Sequence, residues 1–534
     1  MTVREKMLLK IKEKISCFPY WMQKTAVMTG SIIFLGIVIF LLIYDDQKER
    51  VLANGWLLLY GWMAVSLFGG IYWLTEKRTA VRKWKNHPLP WLSFAYLLLF
   101  AVQIFLVNRT YFYTGWDVSL LQFRVNGLLE GKSMAEVSAD VGYSIYPNNL
   151  LLFYVFYLME KAAQLVGMAN PYHMCIYFSC LSVNAACFLG NLVIRRLTDK
   201  PLIRGAYTVI STLYILLSPW IMIPYSDTYG MFFVMLGIWA LVCVDKVWIK
   251  WPVAAFVGMI GYYVKPTCIF PLFGAYLIFG TWYVVRLKKD WKKLCILIGS
   301  TVIFWLAGLC IPIWVQHTFS FRLIKEMEIP YTHYLMMGLN PSTNGGYNHD
   351  DFLYSSAFPD VESRKQGNRE EIQRRLEAYT PEAFGEFLKE KALINFNDGS
   401  FAWALEGGFF TGYVEHDNIF ADIFRQVFIP PYVYENNGDC YYGFKTVSQA
   451  VWLMILLGIV GNLFAYKEKS LEKACMMIPL CGLLLFVMLF EARARYLYLY
   501  SPVFLVLAIN GWQAVYDRVI AIYSTSGYSL HNRR

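Results

Sequence analysis

Repeated apolar runs, separated by short basic clusters, constrain this chain more than any other feature. Each run is about twenty residues long, enough to cross the hydrocarbon of a bilayer. In lipid such a run has to be helical, because nothing there pairs an open backbone N–H or C=O. Runs of this kind fall near 25–44, 55–75, 89–108, 172–194, 205–224, 228–244, 252–264, 268–285, 294–315, 448–466, 474–490 and 498–516. Composition agrees: 57% of residues are hydrophobic and only 16% charged, with a mean hydropathy of +0.41. A soluble chain carries more charge. The fold class predicted is an all-α polytopic membrane protein with about 12 transmembrane helices.

The run 149–166 is different. It is short, contains Glu160 and Lys161, and starts directly after Pro147. It reads as an interfacial helix, lying at or dipping into the outer surface. Charge counting supports this. With the N-terminus inside and 149–166 not spanning, the cytoplasmic pieces hold 28 basic against 9 acidic residues, and the remainder holds 20 against 29. Counting 149–166 as a span would put Arg195, Arg196, Lys200 and Arg204 outside, against the positive-inside rule. The expectation is a multi-pass cell-membrane protein with both termini cytoplasmic. The first run, Thr25–Tyr44, lacks a small-residue cleavage site and is expected to stay as a helix.

This layout divides the chain into four regions. Residues 1–88 hold a cytoplasmic segment and two accessory spans, and the cluster Lys77, Arg78, Arg82, Lys83, Lys85 fixes the orientation of the next helix. Residues 89–315 form a transmembrane core with an outer loop at 109–171. Residues 316–447 form a mixed extracytoplasmic loop domain with 11 basic and 19 acidic residues. Residues 448–534 are the last spans and a tail. In 172–194, Ser179, Ser182, Ala185, Ala186 and Gly190 suit close helix packing. Helices are expected near 369–379 and 381–394, the second capped by Thr380 with Pro381 in its first turn. Asn340–Gly346 reads as loop. The break at Lys265-Pro266 comes after a short first half, as in an irregular turn lining a cavity.

Several functions are disfavoured. The net charge of +10 is spread as topology signals, without a basic stripe interleaved with aromatics, so no nucleic-acid partner is expected. The eleven cysteines lie mostly in apolar runs without a CxxC, which fits small buried thiols. There is no GxxxxGK[ST], GxGxxG after a strand, or GxSxG. Gly127–Ser133 is one residue short of a phosphate loop. No Asp-x-Asp occurs, which disfavours a cytosolic nucleotide-sugar enzyme. His317, His333, His349 and His416 lack metal-ligand spacing, so no metal or cofactor is expected.

Charges at the ends of apolar runs are costly to keep and are functional candidates. On the outer side these are Asp117, Asp227, Lys265, Arg493 and Arg495, with Glu491 beside the arginines. Two acids and three bases suit transfer from a membrane-held anionic donor. The cations would hold phosphate, and a carboxylate would take a proton from the acceptor. Plainer roles stay open. Asp117 also fits as an interfacial polar residue, Asp227 as a helix cap and Lys265 as a snorkelling lysine. Glu491, Arg493 and Arg495 could pair structurally. Tyr146, Asn148 and Asn149 either bind a polar substrate or end a helix.

Asp117 in the first long outer loop, with Tyr146-Pro-Asn-Asn149 after it, resembles the GT-C-type membrane glycosyltransferases. Tyr225-Ser-Asp-Thr228, Tyr263-Val-Lys-Pro266 and Glu491-Ala-Arg-Ala-Arg-Tyr496 are similar to blocks of the protein O-mannosyltransferase and aminoarabinose-transferase branch, in its Gram-positive form. Thr332–Asn340 and Asn397–Phe401 look similar too. The likeness covers roughly residues 89–515. It departs in having a single acid at 117, where many relatives have a pair, and in the two extra spans before residue 89. It implies a polyprenyl-phosphate sugar donor and inverting transfer on the outer face to a saccharide or protein acceptor. Asp117 would be the base, and Lys265, Arg493 and Arg495 would hold the donor phosphate. The alternatives are a flippase or transporter of lipid-linked sugars, or a surface-polysaccharide polymerase or ligase.

Overall fold

The computed structural model describes residues 3–77, 89–406, 409–410, 417–433 and 438–531. Most of the basic cluster that begins at Lys77, and His416, lie outside these residues.

The chain opens with α1 (Val3–Ile43), α2 (Asn54–Lys77) and α3 (Leu89–Thr110). The first loop region carries α4 (Trp116–Leu129) and α5 (Leu150–Leu165). Next come α6 (Tyr172–Leu197), α7 (Pro201–Ser211), α8 (Ser226–Cys243) and α9 (Val247–Val264). After them come the composite α10 (Pro266–Val285) and α11 (Leu287–Thr318). The hydrophilic stretch folds into short helices, among them α12 (Tyr331–Met337), α13 (Val361–Ala378), α14 (Pro381–Phe396) and α15 (Ile419–Phe428). The chain ends with α16 (Tyr441–Val460), α17 (Ser470–Leu489) and α18 (Ser501–His531).

Among the described residues there is no β-strand, and eleven helices are long and apolar enough to cross a membrane. The protein is an all-α polytopic membrane protein. Burial separates its helices into centre and rim. In α8, 72% of the most apolar stretch is enclosed by neighbours, against 11% in α2 and α11. The centre is where small residues allow close approach. Ser179, Ser182, Ala186 and Gly190 of α6 are buried. A methyl group at Gly190 would collide with the Tyr207 side chain, whose hydroxyl donates to the Cys187 carbonyl at 3.2 Å.

Several expected boundaries move. The run 205–224 is not a long span. It is the eleven-residue α7 and a five-residue π turn, Thr212–Leu216, with a 3-10 turn after them at Pro219–Met222. Ser218-Pro219 stops it, since proline lacks an N–H and pushes the residue before it into an extended conformation. The segment still runs from one end of the bundle to the other. Arg204 donates to the Thr198 carbonyl at its start, and Tyr214 donates to the Gly399 carbonyl at its finish. The half before Lys265 is longer than expected, because α9 starts at Val247 rather than 252. Helix α13 starts at Val361 rather than 369, where Asp360 accepts from the N–H groups of Glu362 and Ser363. Thr380 caps α14, accepting from the Ala383 N–H at 3.2 Å, and Pro381 is its first residue. All eleven cysteines are free, and Cys310 is exposed on the rim helix rather than buried.

Helix α5 lies across one end of the bundle. It begins after Tyr146 and packs on α4, α6 and α11. Just past its end, Asn170 donates to the Tyr113 hydroxyl at 2.9 Å, so the chain has returned to the end it left. Its inner face is deeply buried, Glu160 included. The basic clusters Arg195–Arg204, Lys246–Lys250 and Arg286–Lys293 lie at the opposite end, where Arg196 pairs with Asp245 and Lys293 with Asp290.

Candidate active site at one end of the bundle

Local chain chemistry delivers each charged side chain to the α5 end. Pro266 cannot donate and keeps Lys265 out of helical geometry, so Lys265 is extended at φ −155°, ψ 123°. Its ammonium meets the carboxylate of Asp227, 1% exposed in the first turn of α8. Burial pulls the Lys265 pKa down, and Asp227 acts against it. After α17 the chain turns through 490–494 and enters a one-turn helix at Arg495. The Arg495 Nε lies 3.4 Å from Asp227 Oδ2, and its NH1 lies 3.6 Å from Glu406 Oε1. Arg493 donates to Glu491 at 2.8 Å and to Glu406, and Tyr496 donates to Glu491 at 2.8 Å.

Asp117 joins this cluster through aromatics. Trp116, at φ +44°, opens α4 and holds the aspartate in its first turn. The Tyr225 hydroxyl donates to Asp117 Oδ2 at 2.7 Å. The Arg495 guanidinium lies 4.4 Å from the Trp116 ring centre and 5.5 Å from that of Tyr225. One aromatic wall therefore carries Asp117 on one edge and the buried cations behind it. Asp117 is exposed, whereas Asp227, Lys265 and Arg495 are buried.

The structure brings together Asp117, Asp227, Lys265, Glu491, Arg493 and Arg495. Tyr146 sits at the rim, its ring 6.2 Å from that of Phe352. Burial, Tyr347, Asp117 and Glu491 together hold its phenol well above the usual value. No described contact ties Asn148 or Asn149 to the charged cluster. Asn148 is exposed and donates only to Asn149, at 3.3 Å, among the described contacts, within the turn that starts α5. The sequence left open whether the cations hold phosphate or pair structurally, and each one faces a carboxylate.

Sequence reasoning missed Glu406, which completes the cluster. It stands as the single charge in the apolar run Phe401–Val414, and that contrast is the signal that could have found it. That stretch also braces the site from α14. Lys391, fully buried, donates to the carbonyls of Gly338 and of Phe490. Burial lowers its pKa to about 8, and Glu491 acts against the shift. Asn395 accepts from the Arg493 N–H at 2.9 Å and donates to the Val487 carbonyl at 3.0 Å. Below Glu406, Asp398 accepts from the Ser400 and Ala402 N–H groups and pairs with Lys445 at 2.8 Å. The link between, Phe401, Ala402 and Ala404, has φ values of 59°, 58° and 65°.

The chain matches, over residues 25–516, the family described as conserved hypothetical integral membrane protein, and it belongs to that family. The matched region includes every residue of the charged cluster. No curated protein and no solved structure matches it.

Proposed function

We propose that this integral membrane protein is an inverting glycosyltransferase, moving one sugar from a polyprenyl-phosphate carrier to an acceptor hydroxyl at the membrane surface. The observation that carries the reading is the pairing of an exposed carboxylate with buried cations across one aromatic wall. Asp117 has one oxygen held by Tyr225, which leaves the other open to an acceptor. Arg495 and Lys265 lie behind Trp116, Tyr225 and Tyr496.

In the reaction, the acceptor oxygen attacks the anomeric carbon as Asp117 takes its proton. The bond from that carbon to the phosphate oxygen breaks, and its electron pair leaves with the lipid phosphate. A single displacement inverts the carbon. The cations offset charge that grows on the leaving oxygen, an effect strengthened away from water. The basic clusters at the far end of the bundle support a cytoplasmic assignment for that end and an outer-face site. The acceptor would be a cell-surface glycopolymer, glycolipid or protein.

The test is transfer from a radiolabelled polyprenyl-phosphate hexose by purified protein with candidate acceptors. Label should leave the lipid for the acceptor, and Asp117→Asn should slow that step about 10²-fold or more while expression stays normal. Normal turnover in that variant would sink the assignment. Label that crosses the bilayer while still on its lipid would identify a flippase instead.

A further inference from the structure

Glu406 occupies the position where the proposed chemistry needs an anion. Its carboxylate lies between the two guanidiniums of the cluster. Oε2 accepts from Arg493 NH1, and Oε1 stands 3.6 Å from Arg495 NH1. The side chain is 7% exposed, and Arg495 is 6% exposed. This pairing is incomplete. Among the described residues, Arg495 Nε and NH1, Asp227 Oδ2 and Glu406 Oε1 have no hydrogen-bond partner. A buried guanidinium with unmet donors is poised for a better acceptor than the one it faces.

Charge points the same way. Lys265, Arg493 and Arg495 face Asp227, Glu406 and Glu491, so the three cations are already matched before Asp117 is counted. A phosphodiester entering beside these groups would add an uncompensated negative charge. Exchanging it for Glu406 keeps the balance. The segment that carries Glu406 holds Phe401, Ala402 and Ala404 in left-handed backbone, which side-chain-bearing residues adopt at a cost.

We infer that Glu406 is an internal stand-in for the donor's phosphate. It holds Arg493 and Arg495 in register until a lipid phosphate displaces it, and its return competes with the lipid phosphate left after transfer. The inference rests on the polyprenyl-phosphate reading of the site.

The experiment is equilibrium binding of geranylgeranyl phosphate to the purified full chain, with geranylgeraniol as the neutral control. Glu406→Gln keeps the shape and removes the charge, so it should bind the phosphate about tenfold tighter than wild type, with the alcohol unchanged. Equal or weaker binding in the variant overturns the inference and leaves the donor reading standing. No preference for phosphate over alcohol in either protein removes the donor reading, and the inference with it. If the variant does not fold, hydrogen exchange of the wild type decides. Backbone amides of 402–406 should exchange faster with the phosphate bound; unchanged or slower exchange overturns the inference.

Discussion

Arg495 presents a face and an edge. Its face lies on Trp116 and Tyr225, and its edge points at Asp227 and Glu406. Burial alone would lower its pKa, but Glu406 and Asp227 overcome that and raise it. Lysine keeps the charge and loses both the planar stacking and the fork. Arg495→Lys should therefore cut kcat/KM about 10- to 100-fold, equivalent to about 1.4–3 kcal/mol of transition-state stabilisation. Wild-type transfer kinetics in this variant would reduce the guanidinium to a point charge. Arg495→Met should also lower stability, by about 1–3 kcal/mol, because Asp227 and Glu406 each lose one of the two cations they face, and a thermal melt would register the loss. At this scale the sequence was informative where a charge interrupts an apolar run, as at Asp227, Lys265, Arg493 and Arg495. Glu406 shows the same contrast, a lone charge between Phe401 and Val414, but its apolar run is too short to span and lies within the hydrophilic stretch.

At the scale of elements, α5 is the instructive case. Two charges in a short run ruled out a span, and the structure has both ends of that helix at one end of the bundle. The sequence did not reveal that Glu160 would be enclosed. Neither carboxylate oxygen has a hydrogen-bond partner among the described residues, and burial raises its pKa to about 7. The folded protein thus binds this proton more tightly than the unfolded chain does. The stabilisation is full below about pH 4.5 and is lost as pH rises through about 7, a difference of about 3 kcal/mol by pH 8. Glu160→Gln should raise the melting temperature at pH 8 and give no advantage near pH 4. A flat wild-type profile over that range would show that the carboxyl has a partner.

The whole molecule is tied together by polar contacts between segments far apart in sequence. Asn54 at the start of α2 donates to Asn397 at 2.8 Å, and Gln449 of α16 donates to both. Asn397 donates in turn to Asp46 at 2.8 Å. Lys445 adds Glu49 at 3.2 Å to its pairing with Asp398. The N-terminal pair of helices thus anchors the base of the segment that ends in Glu406. Asn397→Ala leaves buried amides on α2 and α16 short of partners. It should lower stability by about 2 kcal/mol and reduce transfer, measured by a thermal melt beside the transfer assay. Full activity at normal stability would show that the anchor is dispensable.

What the sequence determined by itself is whatever depends on neighbours along the chain. Apolar length makes helices because lipid leaves the backbone no other partner. Pro266 breaks a helix beside Lys265, and Thr380 with Pro381 starts one. The fold class and the set of charges at helix ends came from these. Only the tertiary structure decided which charges meet. Glu406 reaches Arg493 across 87 positions of sequence, and Tyr225 reaches Asp117 across 108. Such partners are chosen by how the packed helices align their ends, and no local pattern records that choice. The same packing gave each of the three bases a carboxylate partner, with one carboxylate, Glu406, standing between two arginines.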